Sequence, residues 1–308
     1  MRHITTLDEI SLADSWLTIG VFDGVHLGHQ AIIRRLVAGA RRAGVPAVVL
    51  TFHPHPEAVL KGLTQPFYLT LPEERAALLG SLGVEVVVTQ PFTRELASQP
   101  GEAFLRRLKE HLGFSHLWVG YDFAMGRARD MDTARLHALQ TKYAYRLEVL
   151  RPVIINGETI SSSKIRAWLR LGEVERANRG LGRPYTLKGE VVAGDARGRQ
   201  IGVPTANVRP PAERLVPARG VYACRVRVGE TLYRAATNIG IRPTFDGDSS
   251  PPQTVEAHIL DFDGDLYGEE IEVQFLRRLR DERRFAGIQD LLGQIHQDIQ
   301  LVREVVSL

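Results

Sequence analysis

The sequence predicts two domains of different class: an α/β domain built on a parallel sheet, then a small antiparallel β-barrel completed by a terminal α-helix. Three observations predict it. The chain has 308 residues, beyond the size at which single hydrophobic cores tend to stop growing. Its first half alternates buried-strand and helix patterns. From about residue 180 onward the segments are short and strand-like, and several alternate apolar with polar.

Trp16 to Phe22 is an apolar run that reads as a buried strand. Residues 28–43 then place Ile32, Ile33, Leu36, Val37 and Ala40 at helical spacing and close on Gly44. Ala47 to Phe52 is a second buried strand, so the three segments form one βαβ unit, which implies a parallel sheet covered by helices. The pattern continues with a helix near 72–82, a strand at 84–89, a helix at 101–112, a strand at 115–120 and a helix at 132–143. Arg179-Gly180-Leu181-Gly182-Arg183-Pro184 is the linker, because two glycines and a proline interrupt any helix there. Strands follow at 185–193, 221–228, 231–240, 254–260 and 270–277, the composition of a small antiparallel barrel. Ile288, Leu291, Leu292, Ile295, Ile299 and Val302 lie on one face of the closing helix. The domains are therefore expected at 1–182 and 183–308.

Composition excludes several classes. Hydrophobic residues are 44% and charged ones 24%, an ordinary globular balance. No apolar run approaches 18 residues, so no membrane span is expected. Met1 to Thr6 lacks the apolar stretch of a signal peptide. The single cysteine, Cys224, excludes a disulfide framework or a Cys-based zinc cluster and suits a reducing cytoplasm. The net charge of +3 gives no argument for a nucleic-acid partner. Only Lys61, Lys109, Lys142, Lys164 and Lys188 of the 39 basic residues are lysines; arginine suits bidentate phosphate contacts, although an Arg-favouring genome gives the same bias.

Chemistry-bearing residues gather at two places. The first strand runs through Gly20-Val21-Phe22-Asp23-Gly24-Val25-His26-Leu27-Gly28-His29 straight into a helix. Ligands of open parallel sheets sit at the carboxyl ends of strands, where helix N-termini offer N–H groups to phosphate. Gly24 and Gly28 permit close backbone approach, and His26 and His29 can donate to phosphate oxygens. Later, Ile160-Ser161-Ser162-Ser163-Lys164-Ile165-Arg166 opens a helix with hydroxyls, N–H groups and two cations, an anion cradle or an ordinary serine cap. In the second half, Gly194, Gly198 and Gly202 give a loop able to curl around phosphates, and Thr205 and Asn207 point to one side of an extended segment. Their oxygens suit Mg²⁺ shared with ATP phosphates; by composition alone the stretch also reads as a glycine-rich hairpin turn. No Walker A loop exists.

The His-x-Gly-His turn resembles the nucleotidyltransferase signature. Thr51-Phe52-His53-Pro54-His55-Pro56, Val119-Gly120-Tyr121-Asp122-Phe123 and the serine segment narrow the likeness to FMN adenylyltransferases. Gly194-Asp195-Ala196-Arg197-Gly198-Arg199 with Gly202-Val203-Pro204-Thr205-Ala206-Asn207, Gly220-Val221-Tyr222-Ala223, Asn238 to Phe245, and Val255-Glu256-Ala257-His258 resemble the riboflavin kinase signature. Covering roughly 16–285, the chain resembles the bacterial bifunctional riboflavin kinase/FMN adenylyltransferases. The resemblance implies a Rossmann-like nucleotidyltransferase domain followed by a kinase barrel. It implies ATP as co-substrate, Mg²⁺, and riboflavin, FMN and FAD as substrates and products. In the first domain it implies catalytic His26, His29 and Arg166. Gly20, Phe22, Asp23, Gly24, Gly28, Ser161, Ser162 and Ser163 would lie around the ATP phosphates, and His55, Asp122 and Phe123 near the flavin. In the second it implies Gly194, Arg197, Gly198 and Gly202 at the ATP phosphates, Thr205 and Asn207 at the metal, Glu256 as general base, and Arg280 and Phe285 near the flavin. The chain departs from the family pattern at Ser163, where threonine is usual, and at Met125, where a second aromatic is usual. A catalytically dead flavin sensor would be expected to have lost some of His26, His29, Thr205, Asn207 or Glu256, and all are present. Partners are then small molecules, not nucleic acid or membrane, and monomer and homo-oligomer both remain open.

Three further features suggest a metal site or a nucleophile without supplying one. Asp261 to Asp265 suggests an EF-hand, but Leu266 occupies the position that needs glycine. His53 and His55 lack carboxylate or cysteine partners at metal-ligand spacing. Cys224 sits in a strand pattern and reads as a packed thiol.

Overall fold

The structure is a computed structural model that describes residues 1–155, 157–194, 202–241 and 253–308. The chain forms two compact units, Met1–Ser162 and Ser163–Leu308.

The first unit contains β1 (Arg2–Ile4), β2 (Trp16–Ile19), α1 (Leu27–Ala43), β3 (Ala47–His53), α2 (Pro56–Lys61), α3 (Pro72–Ser81), β4 (Val86–Pro91), α4 (Arg94–Ser98), α5 (Gly101–Leu112) and β5 (His116–Gly120). It continues through the short pair β6 (Ala124–Met125) and β7 (Met131–Asp132), then α6 (Thr133–Ala138), α7 (Gln140–Tyr143), β8 (Arg146–Leu150), β9 (Ile154–Ile155) and β10 (Glu158–Thr159). Six strands form a parallel sheet in the order β1-β4-β3-β2-β5-β8. Strand residues alternate between two cores. Val48, Leu50 and Phe52 face one side with Leu105 and Leu108 of α5, while Ala47 and Val49 face the other with Ile33 and Leu36 of α1. Burial on both faces is why β3 reads as a continuous apolar run instead of an alternating one.

Chain direction across the sheet reverses at β2, with β3 on one flank and β5 on the other. The loops leaving the carboxyl ends of β2 and β5 therefore bound a crevice at the switch point, where α/β sheets take their ligands. Two sequence expectations change. β2 ends at Ile19, not Phe22, because Phe22, Gly24 and Val25 have φ of 51°, 79° and 41°, which no strand accommodates. The helix expected over 132–143 is two short helices parted at Leu139.

α8 (Ser162–Arg170) starts on the last residue of the first unit and runs on as the start of the second, followed by α9 (Val174–Leu181). Then come β11 (Tyr185–Val192), β12 (Ala206–Arg209), β13 (Gly220–Val228), β14 (Thr231–Ile241), β15 (Gln253–Ile259), β16 (Glu270–Arg280) and α10 (Ile288–Val305). The six strands close into an antiparallel barrel, β11-β12-β15-β14-β13-β16, with β16 returning to β11. Closure leaves no unpaired edge among the described strands. α9 stops at Gly182, left-handed at φ 70°, where the sequence places its linker, and packs against β16 and β11. α10 lays Val302 and Val306 against Ala223 and Leu260. Cys224 is fully buried in β13, and burial pushes its thiol up to about 12. Among the described residues no helix is long and apolar enough to cross a membrane.

Candidate active sites

The loop after β2 is held from beneath by a buried polar network. The Asp23 carboxylate is fully buried and accepts from the backbone N–H groups of Leu69 and Thr70, both at 3.0 Å, and from the Thr70 hydroxyl at 3.3 Å. Arg75, also fully buried, lies 4.0 Å from that carboxylate and donates to Thr51 Oγ1, the Phe52 carbonyl and the Thr70 carbonyl at 3.0–3.1 Å. Thr51 Oγ1 in turn donates to the Val21 carbonyl at 2.7 Å, Gly24 N–H donates to Thr70 Oγ1 at 2.9 Å, and Ser162 Oγ donates to the Asp23 carbonyl at 2.9 Å. A buried carboxylate engaged by so many donors braces the loop instead of meeting an anionic phosphate. The Asp23 side chain thus supports the loop whose residues the family resemblance places at the ATP phosphates.

On this base sit the two histidines. His26 is the N-cap of α1, and its Nδ1 accepts from His29 N–H at 3.3 Å. An accepting Nδ1 places the proton of a neutral imidazole on Nε2. The two rings stack at 3.6 Å with 19° between planes, and the Phe22 ring meets His29 edge-on at 5.1 Å. A side chain at Gly28 would put its Cβ 2.9 Å from the His26 ring, so glycine is what lets His26 turn back over the helix start. Gly20 N–H donates to the Leu50 carbonyl at 3.1 Å and ends the strand pairing. His29 titrates well below 6.5: burial is the main cause, and His26 and Arg75 add to it. It is a neutral imidazole at physiological pH. Its Nδ1 is buried without a hydrogen-bond partner, and protonation on Nε2 leaves only a lone pair unmatched there.

His55 caps α2 by accepting the Glu57 N–H at 3.0 Å, and its own N–H donates to the Tyr68 hydroxyl at 2.8 Å. Phe67 packs edge-on to its ring at 4.9 Å. Asp122 and Phe123 follow β5 across the switch point. Phe123 packs on the core, Asp122 is exposed, and Arg129 donates to the Asp122 carbonyl at 2.8 Å. Ser161 and Ser162 end the first unit, whereas Ser163 and the buried Arg166 lie on α8 in the second. The assignment of Ser163 and Arg166 to the triphosphate stays with the family resemblance.

In the barrel, register does what sequence could not. Asn207 on β12 stands opposite Glu256 on β15, and Glu256 stands opposite Asn238 on β14. Directly opposed residues share a face of the sheet, so an amide, a carboxylate and a second amide form one row. Thr205, just before β12, points with Asn207 by the period of two. Gly194 lies so close that a Cβ would come 2.2 Å from the Asn207 amide nitrogen. Thr205 lines two cavities. One, about 380 Å³, is bounded by Ala257, Phe262, Asp263 and Tyr267. The other, about 320 Å³, is bounded by Glu256, Asn238, His258, Arg280, Glu282 and Phe285. His258 Nδ1–H donates to the Pro204 carbonyl at 2.7 Å, tying β15 to the segment that carries Thr205. Among the described residues no three His, Cys, Asp or Glu side chains form a metal cage; the hydroxyl of Thr205 and the amide oxygen of Asn207 fit a hard cation that brings phosphate oxygens with it.

Gly202 is exposed at φ 78°. Arg197 and Gly198, expected at the ATP phosphates, lie outside the described residues. The structure adds residues to which sequence gave no role. Thr51, Thr70 and Arg75 carry the loop network. Asn238, His258 and Glu282 line the second cavity, and a Cβ on Gly240 would come 2.8 Å from Glu282 Oε1. Asn238 and His258 fall inside quoted motifs, a signal that was present; nothing in the sequence marks Arg75.

Comparison with known proteins covers both units. The family model for FAD synthetase matches residues 8–164, and that for riboflavin kinase matches 181–306. The chain is 36% identical over 307 residues to a protein of Listeria monocytogenes, covering 98% of this chain and 96% of that one. It is 37% identical over 289 residues to one of Bacillus subtilis, covering 94% and 91%. Both carry the name bifunctional riboflavin kinase/FMN adenylyltransferase. A solved structure from Streptococcus pneumoniae, described as a macrolide-efflux protein, is 32% identical and superimposes with a TM-score of 0.89 over 99% of both chains.

Proposed function

This chain belongs to the bifunctional riboflavin kinase/FMN adenylyltransferase family, and from that premise we propose how its residues divide the work of making FMN from riboflavin and FAD from FMN. The observation that carries the proposal is that each compact unit holds its own set of groups suited to phosphate: His26 and His29 at a helix start in one, and in the other Thr205 and Glu256 on one cavity with Asn207 opposite Glu256 in the sheet. The likeness to the pneumococcal structure contributes architecture and no transport activity.

In the barrel, Glu256 takes the proton of the ribityl 5′-hydroxyl as that oxygen attacks the γ-phosphorus of ATP, releasing ADP. Thr205 and Asn207 would hold Mg²⁺ delivered with ATP, and its charge would offset that building up on the transferring phosphoryl group. Arg280 and Phe285 bound the flavin end of the same cavity. In the α/β unit the FMN phosphate attacks the α-phosphorus of a second ATP in line, and pyrophosphate leaves. No covalent enzyme intermediate is needed; positioning and charge stabilisation carry the step. His26 and His29 offer Nε2–H to the phosphates, the start of α1 adds its N–H groups, and Asp122 and Phe123 contact the flavin. We place the functional boundary at 182/183 and the enzyme in the cytoplasm.

The test is to incubate the purified protein with riboflavin, ATP and Mg²⁺ and resolve the flavins by chromatography over time. FMN rising first and FAD after it supports both assignments. FMN alone removes the adenylylation reading, and no product removes both.

A further inference from the structure

The cavity that holds Glu256 has a wall whose conformation is set from outside the barrel. Asp298 lies on α10 and is 3% exposed. Its Oδ2 accepts from Arg280 Nη2 at 2.8 Å, and both carboxylate oxygens lie 3.1 Å from Arg280 Nε. Gln294, one turn earlier on α10, donates to Asp298 Oδ1 at 2.9 Å and accepts from Arg283. Arg280 Nη1 donates to the Asp281 carbonyl at 3.0 Å. Both guanidinium groups lie over the Phe285 ring, Arg283 at 4.7 Å and Arg280 at 5.8 Å from its centre. Arg283, Gln294, Asp298 and Arg280 thus form a chain around Phe285, and all but Gln294 line the cavity.

From this geometry we propose that Asp298 is a positioning residue of the kinase site: it fixes Arg280 directly, and Arg283 and Phe285 through Gln294, so that the flavin-facing wall is set before substrate arrives. The proposal rests on the reading that this wall faces the flavin. The physical reason is conformational. A free arginine samples many rotamers and a ligand must stop that motion to bind; here a bidentate-type carboxylate contact and a carbonyl have already stopped it. A planar ring system with a polar edge is the ligand such a wall suits, since Phe285 and the guanidinium planes offer stacking faces and the remaining Arg280 N–H groups offer donors. The Asp298 carboxylate is engaged by Arg280 and Gln294, and Gln294 is not part of the cavity lining. Loss of Asp298 therefore acts on riboflavin binding and not on the phosphoryl-transfer step.

The experiment is steady-state kinetics on the full-length enzyme with Asp298→Asn, Arg280→Gln and the double variant, FAD formation from supplied FMN serving as the control. Asp298→Asn is expected to raise the KM for riboflavin roughly tenfold, the size of one lost charge-assisted hydrogen bond. Its kcat, its KM for ATP and its FAD formation should stay within about twofold of the parent. The double variant should be no worse than Arg280→Gln alone, because a residue acting only through Arg280 has nothing left to lose. An unchanged riboflavin KM in Asp298→Asn beside a raised one in Arg280→Gln overturns the positioning role and leaves the flavin reading standing. An unchanged KM in Arg280→Gln overturns both. If Asp298→Asn does not fold, Gln294→Ala tests the same link without unpairing a buried charge. A rise of about threefold or more in riboflavin KM supports the proposal, Arg280 keeping its own contact with Asp298 in this variant, and a lowered Tm with unchanged KM reduces the network to a helix staple and overturns it.

Discussion

The stacked pair His26 and His29 behaves as a unit because one ring's nitrogen accepts the other residue's N–H while both rings lie face to face. His29→Ala removes one ring of the stack, and we expect FAD formation to be lost while FMN formation remains, followed by chromatography of the two products. The lowered pKa of His29 has a sign that stability can report. Between its folded value and the ordinary 6.5, the unfolded chain binds a proton that the folded chain does not, so stability falls as pH drops below 6.5, by up to about 1.4 kcal/mol per pH unit. Urea midpoints of the parent and a His29→Gln variant between pH 7.5 and pH 5 should diverge in that direction, the parent losing more; parallel curves would contradict the buried neutral imidazole. Arg75 belongs to the same scale. Arg75→Met strands the Asp23 carboxylate without its buried partner, and we expect a loss of about 3–5 kcal/mol in urea unfolding of the first unit. Sequence showed the histidines but not this support, because a lone arginine in a helix pattern gives no hint that it points inward. It likewise could not show that the Asp23 carboxylate is buried, since a carboxylate in a loop motif looks the same whether it faces outward or inward.

Element by element, legibility followed periodicity. The parallel strands and their helices were readable from apolar runs, and the closing helix from its stripe of Ile288, Leu291, Ile295 and Val302. β1 and β8 have only three and five residues at the sheet's edges, too short to show a period. Register was not readable at all: that Asn207, Glu256 and Asn238 share one row depends on how three strands pair, and pairing is a long-range property. That row gives the Gly194 prediction its edge. Gly194→Ala would drive a methyl into the Asn207 amide, and displacement by about 1 Å of the group we propose for the metal would cost on the order of 100-fold. FMN formation should fall by that much with adenylylation of supplied FMN unchanged. A variant as fast as the parent would show that Asn207 does not need its present position.

At the scale of the whole molecule, the two compact units perform consecutive reactions in which the product of one is the substrate of the other. If FMN is released between them, catalytic defects should complement in a mixture. His29→Ala and Glu256→Gln enzymes, each unable to carry riboflavin to FAD alone, should together produce FAD after a lag in which FMN accumulates. No FAD from the mixture, with each partner reaction intact, would mean that FMN stays on the protein that made it. Finally, Cys224 makes the barrel its own sensor. The chain's one thiol is walled inside β13 and loath to ionise, so an alkylating reagent can reach it only when the barrel opens. The rate of modification in the untouched enzyme then measures that opening event alone, in a chain where the α/β unit contributes no competing thiol, and slowing by bound riboflavin would read out how tightly substrate clamps the barrel shut.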